Sequence, residues 1–173
     1  MAPAFHPRAN LFFYFMSNAM PARPRQFQQR RAVAIVASQY NQEFVEGLCA
    51  HAQRELAVLL PDSSVQQFLV PGAFEIPLLV QEVAERGAFV AIIALGVIIE
   101  GETAHARLIA DAITASLLDL SLRNRVPVIH EVLLVQNEGQ ARVRCLEEEK
   151  NRGTEAARIA VKMIQALAEA KGR

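Results

Sequence analysis

Between Gly96 and His105 the chain reads Gly-Val-Ile-Ile-Glu-Gly-Glu-Thr-Ala-His, a run that leaves an apolar segment and enters a helical one. Gly101 permits a tight or left-handed turn. The amides of Glu102 and Thr103, with the Thr103 hydroxyl, are then expected at a helix N-terminus, where unpaired N–H groups and the macrodipole favour a phosphate. His105, one turn in, could exchange a proton with whatever binds there. A plainer account of the same residues stays open, with Thr103 as an ordinary N-cap and His105 as a surface histidine.

Three other segments carry side chains of similar promise. In Pro71-Gly72-Ala73-Phe74-Glu75-Ile76-Pro77, Pro-Gly makes a sharp exit from a strand, and small Gly72 and Ala73 let a flat ligand approach the backbone. Glu75 falls near the start of the next helix, where it would also simply favour the dipole. Tyr40-Asn41 offers an aromatic face and an amide to a planar heterocycle, unless Asn41 only caps a helix. Arg144 and Arg152 lie in a polar stretch late in the chain. Their guanidinium forks suit phosphate, although an isolated arginine in such a stretch is usually just solvated.

These segments become one site only if the elements around them place them together. Val33 to Ala37 is an apolar run of strand length, followed by Phe44, Val45, Leu48, Cys49, Ala52, Leu56, Leu59 and Leu60 at helical spacing. Pro61-Asp62-Ser63-Ser64 breaks that helix, and Val65 to Val70 reads as a second strand stopped by Pro71-Gly72. Phe74 to Arg86 is predicted helical, since Pro77 is tolerable in a first turn, and Gly87 ends it. Phe89 to Leu95 is a third strand, Thr103 to Arg123 a long helix, and Pro127 to Val135 a fourth strand. After a polar segment, whose Glu147-Glu148-Glu149-Lys150 reads as exposed, a last helix runs from about Thr154 to Ala170.

Apolar strands alternating with helices imply a parallel sheet covered on both faces. Right-handed crossovers then give an α/β fold: a three-layer α/β/α sandwich on a four-stranded parallel sheet, flavodoxin-like. Ligands collect at the carboxyl ends of such strands. The segments after the strands, namely 38–41, 71–75, 96–105 and the stretch after Leu134, therefore belong to one end of the molecule.

The bulk numbers agree with this and exclude other classes. At 173 residues the chain suits one domain with a sizeable core. Hydrophobic residues reach 52% without tryptophan, which implies many small aliphatic side chains between layers, or apolar surface covered by another subunit. Eighteen Lys and Arg balance 18 Asp and Glu, so charge gives no reason to expect nucleic acid or an anionic membrane as a partner. Cys49 and Cys145 lack metal-type spacing and read as inert thiols in a reduced, cytoplasmic setting. Residues 1–30 differ from the rest, with several prolines, arginines and glutamines and an aromatic cluster from Leu11 to Phe15. That cluster is too short to span a bilayer and poorly placed for a secretory signal. Ser17-Asn18-Ala19-Met20 resembles the scar of a common expression vector. The expectation is a disordered or non-native extension over 1–30 and a single folded domain over 31–173.

Taken in order and spacing, Tyr40-Asn41, Pro71-Gly72-Ala73-Phe74-Glu75-Ile76-Pro77, Gly96-x-x-Ile99-x-Gly101-x-Thr103-x-His105 and Pro127-Val128 resemble the lumazine synthase family. The resemblance spans roughly residues 32–168, and the two longer motifs are its specific part. It implies a transferase of riboflavin biosynthesis that condenses 5-amino-6-(D-ribitylamino)uracil with 3,4-dihydroxy-2-butanone 4-phosphate to 6,7-dimethyl-8-ribityllumazine, phosphate and water. It implies no metal and no organic cofactor. By position, His105 would be catalytic as the proton carrier. Tyr40, Asn41, Ala73, Phe74, Glu75, Val97, Ile98, Ile99 and His130 would bind the pyrimidine and ribityl groups. Glu102, Thr103, Arg144 and Arg152 would bind phosphate. The resemblance further implies sites shared between subunits of a homo-oligomer, with the fourth-strand residue and the arginine coming from the neighbour.

Several positions depart from the family's pattern. Tyr40 stands for a usual Phe or Trp, His130 for a Phe, Glu131 for a Gly and Ala106 for an aromatic residue. Cys145-Leu146 replaces Ala-Gly, and Arg152 replaces a Lys. The segment 147–152 lacks the Gly/Lys/Asn-rich sequence of icosahedral shells, which favours a pentamer or decamer over a 60-mer, with riboflavin synthase as a further partner. The alternative function is a family member that binds a flavin-like ligand, or serves as an assembly scaffold, without efficient turnover; His130, Glu131 and Ala106 favour it. The related riboflavin synthase of the same fold fits less well because the Glu102–Thr103 turn is intact. A generic flavodoxin-like domain would need a phosphate loop after its first strand, where Ser38-Gln39-Tyr40-Asn41 stands.

Overall fold

A computed structural model describes residues 20–26 and 31–172. Its sheet has four parallel strands in the order β2-β1-β3-β4: β1 Ala32–Ser38, β2 Ser64–Val70, β3 Ala91–Ile99 and β4 Val128–Val135. The helices are α1 Gln42–Leu59, α2 Ile76–Glu85, α3 His105–Asn124, α4 Glu138–Cys145 and α5 Arg152–Ala170. A short 3-10 turn, Ala73–Glu75, leads into α2.

The sheet splits the core in two, and alternation along the central strands decides which residue faces which half. Val33, Ile35 and Ala37 of β1 and Ile93, Leu95 and Val97 of β3 pack under α1, α4 and α5, with Leu48, Leu56, Ala157 and Ala160. Ala34, Val36, Ile92 and Ala94 face α2 and α3, where Ile76, Val80, Ile113 and Leu117 meet them. Because β1 and β3 are covered on both faces, their sequences are apolar but for the buried Ser38 at the end of β1, in keeping with the parallel-sheet reading. The α/β sandwich, its four parallel strands and its flavodoxin-like character are as expected from the sequence.

Several boundaries differ from the expected ones. β3 runs on to Ile99, so Gly96 to Ile99 belong to the strand and the loop proper is Glu100 to Ala104. The extension has a partner: Gly96 to Ile99 pair with Val132 to Val135 of β4. The polar stretch after β4 contains α4, capped by the Asn137 side chain, which accepts from the Gln140 amide at 3.0 Å. It buries only Ala141 and Cys145, too little to stand out from a polar sequence. Finally, α5 starts at Arg152, because Asn151 is its cap: the buried Asn151 side chain accepts from the Gly153 and Thr154 amides and donates to Cys145 O at 2.8 Å. One amide thus ties the end of α4 to the start of α5.

Of the segment 1–30, residues 1–19 and 27–30, including the aromatic cluster and Ser17 to Ala19, lie outside the described residues. Residues 20–26 lie along α1 and α5. Arg23 forks onto both oxygens of Glu55 at 2.8 and 2.6 Å, and Arg158 reaches Glu55 at 2.8 Å and Pro21 O at 2.9 Å. Cys49 and Cys145 are both buried and unbridged, and burial pushes their thiols up, to about 11 and about 12. Among the described residues, no helix is long and apolar enough to cross a membrane, and no group of His, Cys, Asp and Glu could hold a metal ion.

Candidate active site

At the carboxyl ends of β1 and β3, above the starts of α2 and α3, lies a cleft of about 490 Å³. Its walls include Tyr40, Asn41, Ala73, Phe74, Glu75 and Val97 to Ile99, together with Thr103 and His105. Three segments separated in sequence therefore meet, because β1 and β3 are neighbours and the turn after β2 folds over their ends. The cleft also takes in Gly72, Gly101, Ala106 and Ile109, of which Gly72, Gly101 and Ala106 leave room rather than add contacts.

Each wall is held by a local device. Asn41 sits at the N-cap position of α1 with φ 54°, a left-handed conformation that Asn tolerates better than most residues. Its side chain does not cap the helix; Nδ2 donates to Val97 O at 2.8 Å, clamping the loop after β1 onto β3. Glu75 turns back on its own loop, where Oε2 accepts from the Gly72 amide at 3.0 Å and tightens the 3-10 turn. A Cβ on Gly72 would lie 2.8 Å from that same oxygen, so a larger residue would make the Glu75 carboxylate shift from this position. Tyr40 and Phe74 are 75% and 63% exposed, two large rings left largely uncovered by the described residues.

The turn expected to receive phosphate is built differently from the expectation. Gly101 does not adopt positive φ, and a Cβ there would meet nothing within 4 Å, so its smallness opens space rather than permitting a strained turn. Ala104, not Thr103, holds the N-cap position, without a side-chain cap. His105 is the first helical residue rather than one turn in. The unpaired amides of the α3 N-terminus are accordingly those from His105 onward, while Glu102 and Thr103 form the exposed bend before it. Thr103 lines the cleft and Glu102 does not. Arg107 was not singled out from the sequence, yet it donates to Glu100 at 3.0 Å and closes the loop that carries Thr103 and His105. Opposite charges flanking the motif were the available signal.

His130, Arg144 and Arg152 lie away from this cleft in the single chain. Arg144 and Arg152 line a second cavity of about 460 Å³, with Asn137, Gln140, Lys150 and Glu155. Arg144 makes no hydrogen bond or ion pair among the described residues. Arg152 is committed within its own chain, with Nε 3.1 Å from Glu131 Oε2 and a second nitrogen 2.6 Å from Glu155 Oε2. Glu131 is buried beneath α5, and burial, opposed by Arg152, pushes its carboxyl up to about 7. His130 is half-buried on the opposite face of β4, beside a third hollow with Ser121, Pro127 and Met163. Its imidazole is hydrogen-bonded to Thr114 Oγ1 at 2.8 Å. Burial is the main cause that lowers the pKa of this histidine.

Comparison with known proteins agrees with the geometry. A family model described as 6,7-dimethyl-8-ribityllumazine synthase matches residues 30–168. A protein of that name from Paracidovorax citrulli (strain AAC00-1) is 37% identical over 138 residues, covering 79% of this chain and 87% of the relative. One from Azoarcus sp. (strain BH72) is 37% identical over 136 residues, 78% of this chain and 85% of the relative. 6,7-dimethyl-8-ribityllumazine synthase 1 of Caulobacter vibrioides is 35% identical over 136 residues, 78% of this chain and 89% of the relative.

Proposed function

Since the chain belongs to the 6,7-dimethyl-8-ribityllumazine synthase family and is an enzyme of riboflavin biosynthesis, we propose that the cleft between Tyr40 and His105 is where its two substrates condense. The observation that carries this reading is the meeting of a ring platform, a helix N-terminus and a histidine in one cleft at the strand ends. Tyr40 stacks on the ring of 5-amino-6-(D-ribitylamino)uracil. Asn41, Ala73 to Glu75 and Val97 to Ile99 line the pyrimidine and ribityl groups. The α3 N-terminus, with Thr103 and the adjoining Glu102 bend, receives the phosphate of 3,4-dihydroxy-2-butanone 4-phosphate.

The uracil's amine attacks the ketone carbon and water leaves as the imine forms. Loss of inorganic phosphate follows, and ring closure with loss of a second water gives 6,7-dimethyl-8-ribityllumazine. Each step moves a proton, and His105, beside the phosphate turn, is the side chain placed to carry it. Ala106, small where the family carries an aromatic residue, leaves the cleft wider on that side.

One chain supplies only part of such a site. The 75% exposure of Tyr40 and the distance of His130 and Arg144 from the cleft support a homo-oligomer whose neighbouring subunit brings His130 and Arg144 against it. Exposed Leu108, Leu118 and Leu122 on α3 are apolar surface that such contacts would cover. Arg152 is a weaker phosphate ligand than Arg144, because both its ion pairs are already made. A pentamer or decamer located in the cytoplasm fits this reading.

The test is turnover: purified protein with both substrates, following lumazine absorbance and phosphate release together. A rate clearly above the uncatalysed background is expected, and His105→Ala should slow it about tenfold or more, with binding little changed. Binding of lumazine without turnover would overturn the catalytic reading in favour of a ligand-binding family member.

A further inference from the structure

His130 stands where the family carries a Phe, and a histidine in a heterocycle pocket ordinarily brings hydrogen-bonding edges and a titratable charge. Here both ring nitrogens are already used. The carbonyls of Pro127 and Val135 accept from Ile92 of β3 and from Glu100 just beyond it, so odd-numbered residues of β4 turn their backbone groups toward β3 and even-numbered ones toward the open edge. Val132 is therefore an edge residue, and its N–H donates to His130 Nδ1 at 3.1 Å. An N–H can only donate, so Nδ1 is the acceptor and, in the neutral ring, Nε2 carries the proton. That proton goes to Thr114 Oγ1 at 2.8 Å, and the Thr114 hydroxyl in turn donates to Ala110 O at 2.8 Å.

The four groups form one directed chain, from the Val132 amide through the imidazole and the Thr114 hydroxyl to the Ala110 carbonyl. Reversing any member leaves two donors or two acceptors face to face. It ties the open edge of β4 to α3 and fixes the tautomer and the plane of the ring. What remains for a ligand is the ring face, which is what a Phe would present.

We propose that Thr114 is a positioning residue for substrate binding: by locking His130 as a neutral, edge-satisfied ring, it makes the histidine act as an aromatic wall for the pyrimidine bound in the neighbouring subunit's cleft. This rests on the shared-site reading of Proposed function.

The test uses the intact protein, Thr114→Val, Thr114→Ser and His130→Phe, and the double variant Thr114→Val with His130→Phe. Affinity for 6,7-dimethyl-8-ribityllumazine is read from its fluorescence, and KM and kcat for the pyrimidine substrate from turnover. Thr114→Val should weaken lumazine binding and raise that KM about fivefold, the equivalent of one hydrogen bond, with kcat within about twofold. Thr114→Ser should restore both. His130→Phe should bind within about twofold of the starting protein, because the ring face is kept. In that background Thr114→Val should have no further effect. Nitrogen NMR of the imidazole should show the Nε2–H form in the starting protein and a mixture of tautomers in Thr114→Val. An equal loss of affinity from Thr114→Val in both backgrounds, or none in either, would overturn the positioning role while leaving the family's reaction intact. If lumazine does not bind the unaltered protein at all, the shared-site reading falls and this inference with it.

Discussion

Glu131→Gln is expected to stabilise the protein, and by an amount that depends on pH. The Glu131 carboxyl lies on β4 beneath α5, where a charge is costly, and its pKa is raised from 4.5 to about 7. Burial is the main cause; Arg152 opposes it, and Glu155 adds to it. In the unfolded chain this carboxyl loses its proton near its ordinary value, so between pH ~4.5 and ~7 the folded state holds more protons than the unfolded state. Stability contributed by the protonated form is therefore complete below pH ~4.5 and declines as the pH rises through ~7. A shift of that size corresponds to about 3 kcal/mol by pH 8.

Gln resembles the protonated carboxyl in size and carries no charge, and in this variant Arg152 keeps Glu155 as its partner. The variant should match the parent within about 1 kcal/mol at pH 5 and exceed it by about 3 kcal/mol at pH 8. Urea unfolding of both proteins at each pH, at one fixed protein concentration, measures the difference, and other titrating groups cancel in it. A stability difference that stays constant from pH 5 to pH 8 would refute the reasoning. Removing the other partner should act oppositely: Arg152→Met leaves Glu131 buried without its closest cation, and the loss at pH 8 should exceed that at pH 5.

Glu55 behaves in the reverse sense. Burial raises its pKa, but the hydrogen bonds and charges of Arg23 and Arg158 outweigh this and hold it below the ordinary value, so its stabilisation is present above pH ~4.5 and fades in acid. Glu55→Gln should cost about 2 kcal/mol at pH 7 and progressively less as the pH falls below 4, read from unfolding curves. Gly153→Ala should cost at least about 2 kcal/mol, or lower Tm by several degrees, because the new Cβ would stand 2.1 Å from the Leu48 carbonyl oxygen, and backbone cannot move aside cheaply; an unchanged Tm would show that α1 and α5 are not packed this closely. Arg144→Ala should mainly raise KM for the phosphate-bearing substrate with a smaller effect on kcat, in steady-state assays varying that substrate alone.

Much of this protein was legible in its sequence because the relevant signals are local. Val33 to Ala37, with no polar interruption, reads as a strand buried on both faces, and the stripe from Phe44 to Leu60 as a helix that covers it. Pro71-Gly72 and Gly101 mark the turns, and the strand-end rule for parallel sheets gathers Tyr40, Phe74 and His105 at one end before any coordinate is known. Motif order then named the family. Tertiary structure decided the features that depend on what lies across a gap in sequence. β3 extends to Ile99 because β4 is there to pair with it, which moves the loop and makes His105 the first residue of its helix. Asn41 gives its side chain to Val97 rather than to its own helix, since the neighbouring strand end is within reach. α4 forms from a polar stretch because the Asn137 and Asn151 side chains hold its two ends. The partners of His130 and Glu131 follow from which face of β4 each occupies: alternation along the strand turns His130 toward Thr114 and Glu131 toward Arg152 of α5. Side-chain alternation on a strand is visible in sequence, but the helix waiting on each face is not.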